Sequence, residues 1–385
     1  MKKIFLGIIC ICIFISSVSC SKSHVSQTSE LKEFDIAKAF GVVNKYMTAN
    51  MKNDIKEMSK FYSSTFKKDN VEKMQQDVII NGYKFDEVSQ AQDMADIYVR
   101  VTKINSKIPY SSLEIQNFKV IREKGEYKIK SIDIENQSES FESYSSNNLN
   151  SLNGRQIRIR FKNAVKTNLV TNMQSIPRYY YTQDDKAKID KIPVGLKDFG
   201  ISAMSYDGTS QIITTKGDNP FIEIVHFDES MATQGGTGDS QSSGGGGNGT
   251  GTSGESEMQP ETPIGKEIRP IDVIPGANIK NLIFSQDEIY MAVQYSKANL
   301  GNSIRVYLNK NGKIISFKFE DNYPMDKVNV DIINFVEEGL VYKVTPKNGQ
   351  NNDNSIKNMV GTWQLDMEEY KPKKVNESDL SSLKK

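Results

Sequence analysis

Few side chains in this sequence could carry out covalent chemistry. Its 385 residues include two histidines and three cysteines. Cys10 and Cys12 lie inside an apolar run near the start, which leaves Cys20 as the one thiol beyond it. A single thiol can form neither an internal disulfide nor a thiolate metal site in the folded part. His226 lies between Val225 and Phe227 in an alternating stretch, where a satisfied or solvent-facing strand imidazole is expected. No Ser elbow and no His-x-x-x-His partner accompanies it. His24 sits in a polar stretch and is expected to be inert.

Other groups are better suited to binding than to reaction. Arg178-Tyr179-Tyr180-Tyr181 follows Pro177 and could stack a sugar or a peptide on its rings. An edge strand with one Tyr buried is the structural alternative. Asp326, Asn329 and Asp331 bring oxygen ligands close in sequence, but strand alternation sends them to different faces, and the Gly turn of a calcium loop is missing. Gly244 to Gly247 lacks the Gly-Lys-Ser/Thr ending of a phosphate-cradling loop. Asp184, Asp185 and Asp190 straddle Lys186 and Lys188 and read as a solvated loop, and Trp363 reads as core. Arg158 and Arg160 share one strand face but are too few for a charged stripe, so nucleic acid is not expected as a partner. None of these groups calls for a metal or a cofactor, and no catalytic residue is assigned.

The elements that hold these residues follow from composition and periodicity. Hydrophobic residues at 37%, charged residues at 25% and a formal net charge of +1 exclude a polytopic membrane protein, a wholly disordered chain and a strongly basic nucleic-acid binder. Lys2 and Lys3 precede the apolar run Ile4 to Val18. That run is shorter than the roughly 20 residues of a spanning helix and suits an export signal over residues 1–19. Ser17-Val18-Ser19-Cys20, followed by polar Ser21 to His24, resembles a bacterial lipobox cut by type II signal peptidase. The resemblance implies that Cys20 receives a diacylglycerol thioether and becomes the mature N-terminus. Ser17 departs from the Leu, Val or Ile usual three residues before the Cys, and small-x-small also suits signal peptidase I. Lipid chains contribute about 0.8 kcal/mol per buried CH₂, enough for two or three to hold a soluble body at a membrane surface. The expected location is the extracytoplasmic face of the cell membrane, with residues 20–34 as tether.

From Ile36 to Phe66 the apolar residues recur at spacings of three and four, which predicts one or two amphipathic helices broken near Asn53-Asp54. A second short helix is expected over residues 70–76. The period then becomes two, with Ile97, Val99 and Val101 on one face, and Glu123-Lys124-Gly125-Glu126 reads as a hairpin turn. Helices followed by an antiparallel meander predict an α+β module over residues 35–135. In topology it resembles the NTF2-like (SnoaL or cystatin-like) modules of bacterial lipoproteins. Some members of that family are enzymes using Asp and His in the cone. Residues 35–135 contain no His, so that role has nothing to land on.

Residues 136–153 are rich in Ser and Asn and are taken as a linker. An all-β region is expected over 154–372, with strands at Ile157–Phe161, 201–206, 211–214, Phe221–Phe227, 279–285, 289–293, 304–308, 314–319, 328–335, 339–344 and 362–367. Ser205-Tyr206-Asp207-Gly208 resembles the turn linking the first two strands of a TolB or WD40-like propeller blade, while Ser285-Gln286-Asp287-Glu288 lacks the Gly. An incomplete or small β-propeller-like region or a β-sandwich is expected. Residues 233–263 are expected to be a disordered loop, because Gly235 to Ser256 holds 10 of the 26 glycines and no large apolar residue to offset backbone ordering. Residues 373–385 form a polar tail. The expected function is non-catalytic binding of a protein, wall polymer or small ligand by a membrane-anchored lipoprotein. A hydrolase or isomerase with a site in the cone, and an assembly factor of an envelope complex, are the alternatives.

Overall fold

The computed structural model describes residues 33–67, 77–144, 154–195, 198–227, 262–350 and 353–376. The signal segment 1–19, Cys20 and most of the tether, the helix expected at 70–76, the second half of the linker, and most of the glycine-rich loop and polar tail lie outside the described residues.

The N-terminal helical pattern folds as α1 (Ile36–Met51) and α2 (Ile55–Ser59). Asp35 caps α1 by accepting from the Lys38 amide at 3.2 Å, and Asp54 caps α2 by accepting from the Glu57 amide at 2.9 Å. Between them Asn53 adopts φ +53°, a conformation that Asn tolerates better than most residues and that breaks the helix where the sequence placed the break. Ala39, Val43, Tyr46 and Met47 form the buried stripe of α1. They pack on Ile97, Val99, Val101, Phe118, Val120 and Ile129 of the first sheet.

That sheet holds six antiparallel strands in chain order: β1 (Val78–Ala91), β2 (Met94–Asn105), β3 (Tyr110–Glu123), β4 (Glu126–Tyr144), β5 (Arg155–Phe161) and β6 (Asn168–Asn172). The turn from β3 to β4 is tight, with Lys124 at φ +51° and Gly125 at φ +87°.

The expectation of an N-terminal α+β NTF2-like cone is overturned. The molecule is 9% helix and 54% strand, and the sheet does not stop at residue 135. Strand β4 runs to Tyr144 through the residues taken as a linker, and β5 and β6, assigned to the following region, extend the same sheet. The Ser-rich composition misled for a physical reason. Ser138 and Ser140 alternate onto the buried face of β4, where small side chains let the next sheet approach closely. Gln211 donates to Ser140 Oγ at 2.8 Å, and Ser138 Oγ donates to Met204 Sδ at 3.2 Å.

A short pair follows, β7 (Tyr179–Tyr180) with β8 (Ile192–Pro193). Three further up-and-down antiparallel sheets come next. The second sheet is β9 (Phe199–Met204), β10 (Ser210–Thr215), β11 (Phe221–Phe227) and β12 (Gly265–Val273). The third is β13 (Ala277–Phe284), β14 (Tyr290–Lys297) and β15 (Asn302–Leu308). After α3 (Phe319–Asn322) the fourth is β16 (Val328–Val336), β17 (Gly339–Pro346), β18 (Gly361–Asp366) and β19 (Pro372–Val375). The strand expected at 314–319 does not form. Ile314 makes a single bridge to Tyr307, and α3 begins at Phe319.

Strands β1, β9, β13 and β16 each stand at one edge of their sheet. Edge strand β9 packs on β2, β3 and β13, β13 packs on β1 and β16, and β16 packs on β1. The unpaired edges are thus turned toward one another, covered by packing instead of by a further strand.

Candidate functional site

A cavity of about 710 Å³ lies where α1, β1, β13 and β16 meet. This is within the roughly 300–1,000 Å³ of small-molecule sites. Its position follows from irregularities in three edge strands. One extra residue interrupts the ladder of β1 between Ile80 and Gly82, of β13 between Ile279 and Asn281, and of β16 between Ile332 and Asn334. Each such bulge bends its strand and re-aims the side chains beside it. An Asn stands at or next to each bulge, and Asn81, Asn281 and Asn334 all line the cavity.

Two of these amides are unmatched. Asn81 is 3% exposed and donates through Nδ2 to the Leu282 carbonyl at 2.7 Å, but its Oδ1 accepts nothing. Asn334 is 7% exposed, and its Oδ1 likewise has no partner. A buried acceptor left unpaired costs about 1–3 kcal/mol, and both oxygens are sealed within the protein with almost no surface open to the cavity.

The remaining lining is held in place by hydrogen bonds. Tyr83 OH donates to Asn44 Oδ1 at 2.7 Å, and Thr48 Oγ1 donates to the Asn44 carbonyl at 2.9 Å. Burial raises the pKa of Tyr83, so the phenol keeps its proton for that bond. Gln286 Nε2 donates to the carbonyls of Tyr83 and Phe335, at 3.4 and 3.3 Å, and so ties the edges of β1 and β16 together. Phe40 and Phe85 pack against each other with ring centres 4.1 Å apart and planes tilted by 39°. The charged lining residues are Lys52, Glu337 and Glu338, which are exposed, and Lys84, which is half-buried.

A second cluster joins the turns of the second and third sheets. In both, a Ser hydroxyl donates to the Asp two residues on and accepts from the strand that follows. Ser205 Oγ reaches Asp207 at 2.6 Å and Ser285 Oγ reaches Asp287 at 2.5 Å, while the amides of Ser210 and Tyr290 each donate back at 2.9 Å. Gly208 takes φ +75° in the first turn and Glu288 takes φ +61° in the second. Glu288 therefore occupies a glycine's place, and its carboxyl group uses that place to accept from the Asp207 amide at 2.8 Å. Burial and the adjacent Asp207 carboxyl push Glu288 up to about 8. Asp207 is held below its usual range: burial opposes this, but hydrogen bonds from Glu288, Ser205 and Thr209 outweigh it. These carboxyls are occupied with each other and with their own turns, an arrangement that staples two sheets.

A third cluster is ionic. Arg305 on β15 donates to Asp272 at 2.9 Å, to Asp184 at 2.6 Å and to Glu320 at 3.1 Å. Tyr307 OH adds a bond to Asp272 at 2.6 Å, Tyr295 OH adds one to Glu320, and Lys318 reaches Asp184 at 2.8 Å. Asp184 is exposed, as the sequence suggested, and from the surface it accepts from the buried Arg305.

The residues singled out in the sequence do not converge. Tyr180 stacks edge-on against Phe221 and donates to the Pro270 carbonyl at 3.2 Å, so it anchors the β7–β8 pair. Arg178 is exposed, Tyr179 is 59% exposed, and Lys191 lies 5.9 Å over the half-buried Tyr181 ring. Contrary to the expectation of different faces, Asn329 and Asp331 both turn their oxygens to the third sheet: Asn329 accepts from the Asn302 amide at 3.1 Å, and Asp331 accepts from Gln294 at 2.7 Å and Asn302 at 2.6 Å. His226 pairs through Nδ1 with Ser210 Oγ at 2.9 Å, and burial lowers its pKa. Trp363 is half-buried and donates to the Met359 carbonyl at 2.7 Å. Cys20 and Gly244 to Gly247 lie outside the described residues. The cavity residues went unnoticed in the sequence, although a signal was present. Ile79-Ile80-Asn81 and Ile332-Ile333-Asn334 repeat a phrase that breaks strict alternation, as a bulge requires.

No family model matches this chain, and no curated protein matches it. Among solved structures, prolyl oligopeptidase B from Galerina marginata is similar at 10% identity with a TM-score of 0.30, over 69% of this chain and 33% of its own. TolB from Acinetobacter baumannii is similar at 10% identity with a TM-score of 0.23, over 70% of this chain and 77% of its own. Both are β-propeller-like folds. This chain spans about a third of the peptidase's length, and at these scores neither likeness bears on function.

Proposed function

We propose that this protein is a non-catalytic binding protein, held at the outer face of the cell membrane by lipid on Cys20, whose cavity between α1, β1 and β16 takes a small ligand. The observation that carries the reading is the cavity of about 710 Å³ itself, lined by Phe40 and Phe85 and by the amides of Asn44, Asn281 and Gln286.

Plugging the cavity tests the binding half of this reading. Protein purified from membranes should carry a bound small molecule in native mass spectra, and Ile332→Trp should lose it while keeping its circular dichroism. Equal occupancy in both proteins would place the ligand elsewhere. Fatty-acid labelling tests the anchor. Label should enter the wild-type protein, and Cys20→Ala should abolish it and move the protein from the membrane to the soluble fraction. Unchanged labelling in Cys20→Ala would rule out that thiol as the attachment point.

A further inference from the structure

We propose that helices α1 and α2 rest on an anionic bilayer surface through a ridge of lysines; the inference rests on the lipid-anchor reading above. Helix α1 contains no acidic residue. Lys38, Lys45 and the C-cap Lys52 follow one another at intervals of seven, close to two helical turns, so they stand on one face, and all three are exposed. That face lies outside the stripe of Ala39, Val43, Tyr46 and Met47 that packs on the first sheet. Gly41 falls between Lys38 and Lys45 and meets only open space where a side chain would stand. The next helix adds exposed Lys56 and, beside it, Ile55, which is 71% exposed. The acidic side chains nearest in sequence are already engaged. Asp35 pairs with Lys38 at 2.9 Å, Glu57 pairs with Lys60, and Asp54 accepts from the Glu57 amide at 2.9 Å. Lys45, Lys52 and Lys56 have no carboxylate partner among the described residues. Glu33 stands at the far end of α1 from Lys52, and Glu337 and Glu338, which share the cavity lining with Lys52, belong to the fourth sheet.

Charge and chain length together select the bilayer as the partner. A lysine near an anionic membrane surface strengthens attachment about fivefold, and an exposed isoleucine can enter the boundary between headgroups and acyl chains. Three unpaired lysines are too few to capture a free anionic partner, such as a nucleic acid or an acidic protein, by themselves. The bilayer does not have to be captured. Thirteen residues separate Cys20 from Phe34, and covalent geometry limits them to about 45 Å. Lipid on Cys20 therefore keeps α1, about 24 Å long, within that distance of the surface. At such range the effective concentration is of millimolar order, where a weak contact is occupied. The lipid supplies the affinity, and the lysines decide which side of the molecule faces the membrane.

Lysine acetylation read by mass spectrometry tests this on the full mature protein, purified from membranes and reconstituted into vesicles. One set of vesicles is phosphatidylcholine alone, and the other carries about one-third phosphatidylglycerol. Flotation with the vesicles reports the anchor. On the anionic vesicles Lys45, Lys52 and Lys56 should react about fivefold more slowly than on the neutral ones, while the exposed Lys266 and Lys310, on β12 and after β15, keep their rates. Salt at about 0.5 M should remove the protection. Lys45→Gln combined with Lys56→Gln should remove it at Lys52. For a protein that floats, equal rates on the two vesicles, or equal slowing at Lys266 and Lys310, would overturn the surface contact and leave the anchor standing. Protection that survives both salt and the double substitution would overturn it as well. A protein that floats with neither vesicle would overturn both this proposal and the anchor.

Discussion

Arg305 directs its donors at three carboxylates that come from three separate parts of the chain, Asp184, Asp272 and Glu320. Removing the guanidinium would leave Asp272, fully buried, without its cation. Arg305→Ala is expected to lower stability by about 3–5 kcal/mol, read from the denaturant midpoint. Arg305→Lys should recover little, because an ammonium cannot span the three directions of the guanidinium fork. Glu223 gives a pH prediction of defined sign. Burial pushes its carboxyl from 4.5 up to about 8. The folded chain therefore keeps this proton through neutral pH while the unfolded chain releases it. The stabilisation is fully present below about pH 4.5, declines as pH rises, and levels off above about pH 8. Glu288 adds a contribution of the same sign. Denaturation midpoints measured across this window should fall with pH, and Glu223→Gln should flatten the fall. None of these partners was legible in the sequence. Asp184 and Arg305 are far apart along the chain, and a carboxylate beside lysines looks the same whether it faces water or a buried arginine.

At the scale of elements, local pattern was readable wherever neighbouring residues decide it. The spacing of Ala39, Val43 and Met47, the break at Asn53 and the Lys124-Gly125 turn were all visible before any packing was known, because each depends on backbone geometry within a few residues. The segment 136–144 was misread because composition was allowed to outweigh alternation. Ser138 and Ser140 face inward at every second position, as any strand residue would, and their small size is what the contact with the second sheet requires. Ser140→Leu is accordingly expected to cost about 1–3 kcal/mol through overpacking, whereas a true linker would absorb it without loss. A chemical-denaturation curve decides between the two. The bulges stand between these cases: the doubled Ile before Asn81 and Asn334 marks them, but only the meeting of β1 with β16 shows that they share one cavity.

For the whole molecule, the β-rich character and the succession of short strands were evident from the sequence, while the merging of the N-terminal strands with β5 and β6 was not. The long glycine-rich interval also makes a prediction at this scale. Residues 228–261 connect β11 to β12, which pair directly, with Phe227 opposite Gly265. The strands that flank it are paired at Phe227 and Gly265, so a four-residue turn could replace it. Each halving of loop length returns about 0.6 kcal/mol, and the replacement should raise stability by about 1–2 kcal/mol, measurable as a higher melting temperature. A loss of stability would mean that the interval makes contacts of its own.

The ionic cluster also constrains the order in which the chain can assemble. Asp184 and Asp272 both precede Arg305, so a chain emerging N-terminus first presents the buried carboxylate of Asp272 before the cation that compensates it. The second sheet can pair its strands early, but it cannot close over Asp272 at low cost until β15 arrives. A chain truncated before Asn302 would then hold its second sheet in an open, solvated form, and completion of the third sheet would act as the latch that commits the fold.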